Sequence, residues 1–158
     1  MTDVSSGNRI QIPDESPVLP SSPERPAARP GGVVLLIDDD PAVLESLARV
    51  FASEGIATVT AANGTEGLER LRDCSPDVVI TDLCMAGVNG WDLLFHERME
   101  KPDLPIFVIT GLAGEDTGGA DRFASAFFPK PLDVDAVVAA VQRQLQTAGF
   151  AWGRRIRV

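Results

Sequence analysis

Four places in this sequence carry residue types that do chemistry, each at the end of a short apolar run. VVLLI (33–37) runs into Asp38, Asp39 and Asp40; VVIT (78–81) into Asp82; IFVI (106–109) into Thr110; and AFF (126–128), through Pro129, into Lys130. Carboxylates crowded together repel, and a cation relieves them. An oxygen-only ligand set points to a hard divalent ion, Mg2+ with Mn2+ as the substitute, rather than zinc. The single histidine, His96, falls on a helical stretch away from this group and reads as a plain surface residue. A carboxylate, a hard cation, an ammonium and a hydroxyl together suit phosphoryl transfer. The cation and the lysine neutralise charge on the phosphoryl oxygens, and a carboxylate can be the attacking nucleophile. No glycine-rich loop with a following lysine is present, so ATP itself is not the expected donor. Any one of these aspartates alone is equally well a helix cap or a surface acid. The set is what points to a site.

The elements that must position these residues follow from the hydrophobic pattern. Five consecutive apolar residues over 33–37 fit a strand buried on both faces. Asp40-Pro41 then supplies a cap and a first-turn proline, and Val43, Leu44, Leu47, Val50 and Phe51 recur at helical spacing up to Gly55. The alternation repeats: strand 56–61, helix 65–73, strand 78–81, a loop 83–90, a helix near 91–100, strand 106–109, strand 126–128 and a last helix 133–146. Strands alternating with helices predict parallel pairing with helices on both faces. The expected fold is α/β: a flavodoxin-like, doubly wound, five-stranded parallel sheet. In such a sheet ligands bind beyond the carboxyl ends of the strands, which is where the chemistry collects.

Composition narrows the classes. The chain has 158 residues, 44% apolar and 23% charged, which suits one domain with a real core and excludes a wholly disordered chain. No apolar run approaches the ~20 residues of a membrane span, and the first residues lack a secretory pattern. Two cysteines, Cys74 and Cys84, are too few for a disulfide framework and fit a cytoplasmic protein. The net charge of -9 is uneven, with -11 on residues 32–146 and +3 on 147–158. An acidic body repels a phosphate backbone, so direct nucleic-acid binding is not expected. Residues 1–31 hold six of the twelve prolines among serines and read as a flexible arm, either without a partner or serving to dock or space the domain.

From about Val33 to Gln146 the chain resembles the receiver domain of two-component response regulators. The matching motifs are LLIDDDP (35–41), VVITDLCMAGVNGWDLL (78–94), FVITG (107–111) and FFPKPLD (127–133), in that order and spacing. The resemblance implies that Asp82 accepts a phosphoryl group from a histidine kinase or phosphotransfer protein. It implies that Asp38 and Asp39 are the acidic pair holding Mg2+, with Asp82 and the backbone carbonyl of Cys84 as further ligands. Lys130 would pair with the phosphoryl oxygens, and Pro131 would follow it through a cis bond. Thr110 would move to the phosphoryl group and Phe127 would turn with it as the aromatic switch. The only reactions of the chain itself would be its own phosphorylation and dephosphorylation.

Three departures qualify the resemblance. Ala86 stands where proline is common. Pro129 removes a backbone donor beside Lys130. The stretch from Thr110 to Lys130 is about two residues short of the family's usual length and carries Gly111, Gly114, Gly118 and Gly119, so the usual fourth helix is expected to shrink to a short piece near 119–125 or be disordered. Cys84 and Leu112 lie two residues past Asp82 and Thr110, and neither orients a water well, which predicts slow self-dephosphorylation. Twelve residues follow Gln146, too few for a helix-turn-helix or catalytic output. The expected molecule is therefore a stand-alone receiver (32–146) with an aromatic and arginine-rich tail (147–158), signalling to a protein partner of unknown identity. The tail's Phe150 and Trp152 pack on the domain or meet that partner. Two other readings compete: a phosphorylation-independent adaptor on the same fold, and an aspartyl-phosphate hydrolase using Asp38 and Asp40.

Overall fold

The computed structural model of the chain describes residues 31–85, 92, 96, 98–111 and 119–155. The arm expected over 1–31 lies outside the described residues apart from Gly31. Strand β1 (Val33–Ile37) leads to helix α1 (Pro41–Ser53), β2 (Ala57–Ala61), α2 (Gly64–Cys74) and β3 (Val78–Asp82). Then come β4 (Ile106–Thr110), a 3-10 turn (Ala120–Arg122), β5 (Ala126–Pro129) and α3 (Val134–Arg155). Of the helix expected near 91–100, Asp92, His96 and Arg98–Glu100 are described and helical. Leu112–Gly118 and the loop from Ala86 lie outside the described residues.

The sheet runs β2-β1-β3-β4-β5, with every pair parallel. Alternate strand residues face opposite sides, and both sides are covered. On one side Leu35, Ile37, Val79 and Val108 pack with Leu71 of α2 and Ala120 of the 3-10 turn. On the other, Leu36, Ile80, Phe107 and Ile109 pack with Leu47 and Phe51 of α1 and Val137 and Val141 of α3. The strand order reverses between β1 and β3, which is the crevice where doubly wound sheets bind ligands. Asp77 sets the register there: its Oδ2 accepts from Val33 N at 2.9 Å while its own N–H donates to Val33 O at 2.8 Å.

Local chemistry accounts for the element ends. Asp40 caps α1, with its side chain accepting from Ala42 N, and Pro41 opens the helix. Asn63 caps α2 by accepting from Glu66 N, while Glu66 Oε2 accepts from Ala62 N. Asp133 Oδ1 accepts from Ala136 N at the start of α3.

One expectation needs correction. Helix α3 does not stop near Gln146 but runs to Arg155, so most of the presumed tail continues the helix. Gly149 and Gly153 do not end the helix, since glycine weakens a helix by only about 1 kcal/mol against alanine. The packing expected of Phe150 and Trp152 lies outside the described residues, as does Arg157. His96 lies at the helix surface as expected, with 40% of its side chain exposed. Its Nδ1 is buried with no hydrogen-bond partner, and its Nε2 lies 3.6 Å from Glu100 Oε1. The short piece expected near 119–125 is a three-residue 3-10 turn, and the rest of the stretch between Thr110 and it lies outside the described residues. Among the described residues no helix is long and apolar enough to cross a membrane.

Candidate functional site

The ends of β1, β3, β4 and β5 bring Asp38, Asp82, Thr110 and Lys130 together, as their positions in the sequence predict. Each follows a strand that buries its apolar residues and releases the chain at the carboxyl edge. Asp38, Asp82 and Thr110 are buried, at 3%, 2% and 4% exposure, while Asp39 is exposed. Carboxylate oxygens of Asp38, Asp39 and Asp82 all lie within 4.8 Å of one another.

Backbone groups hold the set in place. Asp38 Oδ1 accepts from Asp40 N at 2.8 Å, and Asp82 Oδ1 accepts from Cys84 N at 2.8 Å. Lys130 donates its Nζ to Asp82 Oδ2 at 2.7 Å and reaches within 3.8 Å of Asp38 Oδ2. Its own N–H donates to Thr110 O at 2.8 Å, so the end of β4 positions the lysine, and a cis bond joins Lys130 to Pro131. Sequence reasoning missed the Cys84 amide and the Thr110 carbonyl. Backbone groups carry no residue signature, so only the folded geometry reveals them.

The electrostatics of the pocket are those of a cation site. Burial pushes the Asp38 carboxyl above its usual value, Asp82 and Asp39 add to this, and the Asp40 amide and Lys130 oppose it. For Lys130, burial works against the charge, yet the hydrogen bond to Asp82 and the nearby Asp38, Asp82 and Asp39 charges hold its value above the ordinary one. Asp38 Oδ2 is buried and accepts no hydrogen bond. A buried carboxylate oxygen left in that condition is costly, and a hard divalent ion between the three carboxylates would satisfy it. The donor set therefore fits Mg2+.

Phe127 lies opposite Val108 in the β4–β5 register and is half-buried against the cluster containing Val108 and Ala120. Thr110 is two residues beyond Val108 and so shares that face. The two residues named as a switch pair thus sit on the same side of neighbouring strands. Cys84 is exposed, and its thiol is not among the converging ligand atoms. Asp40, the acid required by the hydrolase reading, has its Oδ1 engaged in capping α1. Leu112 lies outside the described residues.

The comparisons with known proteins agree with this geometry. Residues 34–142 match the family model of the response regulator receiver domain. The chain belongs to that family. It is 35% identical over 116 residues to the DNA-binding transcriptional regulator NtrC of Escherichia coli K12, covering 72% of this chain and 25% of that one. The chain thus spans about a quarter of the length of the first curated relatives it matches. The receiver domain of the Francisella response regulator 1452 superposes with a TM-score of 0.70 at 23% identity, over 75% of this chain and 99% of that one. The response regulator TrrA of Thermotoga maritima, solved in complex with Mg2+ and BeF, gives 0.66 at 26% identity, over 72% and 98%. This is a receiver domain of phosphorylation-based, two-component signalling.

Proposed function

We infer that Asp82 is the phosphoacceptor of this receiver, and that its phosphorylation by a histidine kinase or phosphotransfer protein switches contacts with a protein partner. The observation that carries the reading is the buried Asp82 carboxylate, 2.7 Å from Lys130 Nζ, beside an Asp38 oxygen that lacks a hydrogen-bond partner. A carboxylate oxygen of Asp82 attacks phosphorus, and the donor's leaving group departs with the bonding pair. Asp38, Asp39, Asp82 and the backbone carbonyl of Cys84 would hold Mg2+, with Mn2+ as a substitute, and the ion would supply charge neutralisation for the transferred group. Lys130 pairs with the phosphoryl oxygens. Thr110 then bonds the phosphoryl group and Phe127 follows it inward, which is the bistable element.

The same reading places the domain at residues 32–146 in a cytoplasmic protein, with output through protein contacts rather than direct DNA binding. The Mg2+–BeF complex of the Thermotoga relative supports the metal assignment by analogy. The test is phosphorylation by acetyl phosphate with Mg2+, read by intact mass. A single phosphoryl adduct that requires Mg2+ and is absent from Asp82→Asn is expected. A folded wild type that takes no adduct beside a working control would replace this reading with that of a phosphorylation-independent adaptor.

A further inference from the structure

Arg98 sits at the end of the helical stretch before β4, and its side chain reaches away from the acidic pocket. Its Nε donates to Phe123 O at 3.1 Å, and its Nη2 donates to the same carbonyl. Its Nη1 donates to Pro102 O and, at 3.4 Å, to Leu104 O. One planar guanidinium, with five donors in a rigid fork, therefore joins the loop entering β4 to the turn entering β5.

The 3-10 turn is three residues long, and its internal bonds run from Arg122 N to Gly119 O and from Phe123 N and Ala124 N to Ala120 O. So short a turn leaves carbonyls at its end to be satisfied from outside. The second anchor is Ser125, whose N–H donates to Ile106 O at 2.7 Å while its Oγ accepts from Ile106 N at 3.3 Å. Strand β5 begins at the next residue, and Phe127 is its second. Phe123, Ala124 and Phe127 all pack against one cluster, with Ala120 fully buried in it.

We propose that Arg98 is a positioning residue that fastens the 119–125 turn and thereby couples the phosphorylation state of Asp82 to Phe127. Among the described residues the β4–β5 connection carries only the 3-10 turn, and the guanidinium fork ties that turn to the loop entering β4. Thr110 and Phe127 can move together only if the turn feeding β5 is held at its far end, since a loose turn absorbs the displacement. The coupling rests on the phosphoacceptor reading; the anchoring does not.

The test is amide hydrogen exchange on the full chain, for wild type, Arg98→Ala and Arg98→Lys, before and after treatment with acetyl phosphate and Mg2+. Arg98→Lys keeps the charge and the stem but lacks the fork, and it carries the test if Arg98→Ala does not fold. Before treatment, exchange over 122–125 is expected to rise about tenfold or more in the variants while β1 and β3 are unchanged, because local opening is set by local contacts. After treatment all three proteins take the adduct. The exchange change over 119–128 seen in wild type is at least halved in the variants. Wild-type exchange at 122–125 in both variants overturns the anchor. A full phosphorylation-dependent change in the variants overturns the coupling while leaving the phosphoacceptor reading intact. No adduct in wild type overturns that reading and the coupling with it, while the exchange before treatment still decides the anchor.

Discussion

Asp38 carries its charge where burial disfavours it. Its folded value lies above the ordinary carboxylate value of 3.8, so the sign is the reverse of a paired surface acid. The stability linked to its protonation is fully present below the unfolded value and is lost as pH rises through the folded one. At neutral pH the ionised group therefore opposes folding. Asp38→Asn keeps an acceptor for the Asp40 amide and is expected to stabilise the metal-free protein by about 1 kcal/mol. The same change should weaken Mg2+ binding by about tenfold or more, since a hard ion loses a charged ligand. Thermal unfolding with and without Mg2+ checks both; no gain in the metal-free variant would contradict the account. Glu66 has the opposite sign. The Ala62 amide, followed by Arg70, holds its carboxyl below the usual value, so its contribution is present at neutral pH and fades as pH falls through the folded value. Glu66→Ala should cost about 0.5–1 kcal/mol at neutral pH, and denaturant titrations should show that difference closing in acid.

At the scale of elements, helix α2 is where the backbone departs most from ease. Ser75, its C-terminal cap, has φ of 44°, a left-handed conformation that favours glycine. Ser75→Gly should stabilise the protein by about 0.5–1 kcal/mol in urea unfolding. Gly67, in the same helix, has the opposite reason for its identity. A Cβ there would meet Ile37 Cδ1 at 2.7 Å, and Ile37 is buried with 1% exposure. Ile37 Cγ1 and Cγ2 would also lie within 3.3 Å, so the branched side chain must shift inside a buried cluster, and Gly67→Ala should destabilise by about 1–2 kcal/mol even though alanine is the better helix former. An increase in stability would show that α2 shifts away from β1 at small cost. Both effects bear on the site, because β1 delivers Asp38 and α2 covers it.

For the whole molecule, a cation held by the three carboxylates would link folding to signalling. A cation that binds only the folded pocket stabilises it by about 2.7 kcal/mol at a hundredfold excess over its dissociation constant. Adding a chelator to the Mg2+-loaded protein should lower the melting temperature accordingly in wild type and much less in Asp38→Asn. The phosphorylated form should also be long-lived. Cys84 is exposed beside Asp82 and is poorly suited to orient an attacking water. Decay of the adduct over minutes or longer, followed by intact mass after the donor is removed, is the expected outcome. Decay within seconds would show that another group activates the water.

Much of this was legible without coordinates. Alternating apolar runs and helical stripes determined the five strands, their parallel pairing and the elements that flank them, because burial on both faces leaves a periodic trace. The strand ends likewise exposed Asp38, Asp82, Thr110 and Lys130, since each follows its own apolar run. The end of α3 was not legible: residues 147–155 hold no proline, and Gly149 and Gly153, which could each end a helix, lie inside this one. The pairing of Lys130 with Asp82, the amide of Cys84 on Asp82, the carbonyl of Thr110 holding Lys130 and the fork of Arg98 were decided by the tertiary structure alone. These contacts join residues far apart in the chain or use backbone groups common to every residue. The sequence by itself thus determined which residues gather at the edge of the sheet, through local hydrophobic pattern. The distances and partners that make them a site arise only when distant segments meet.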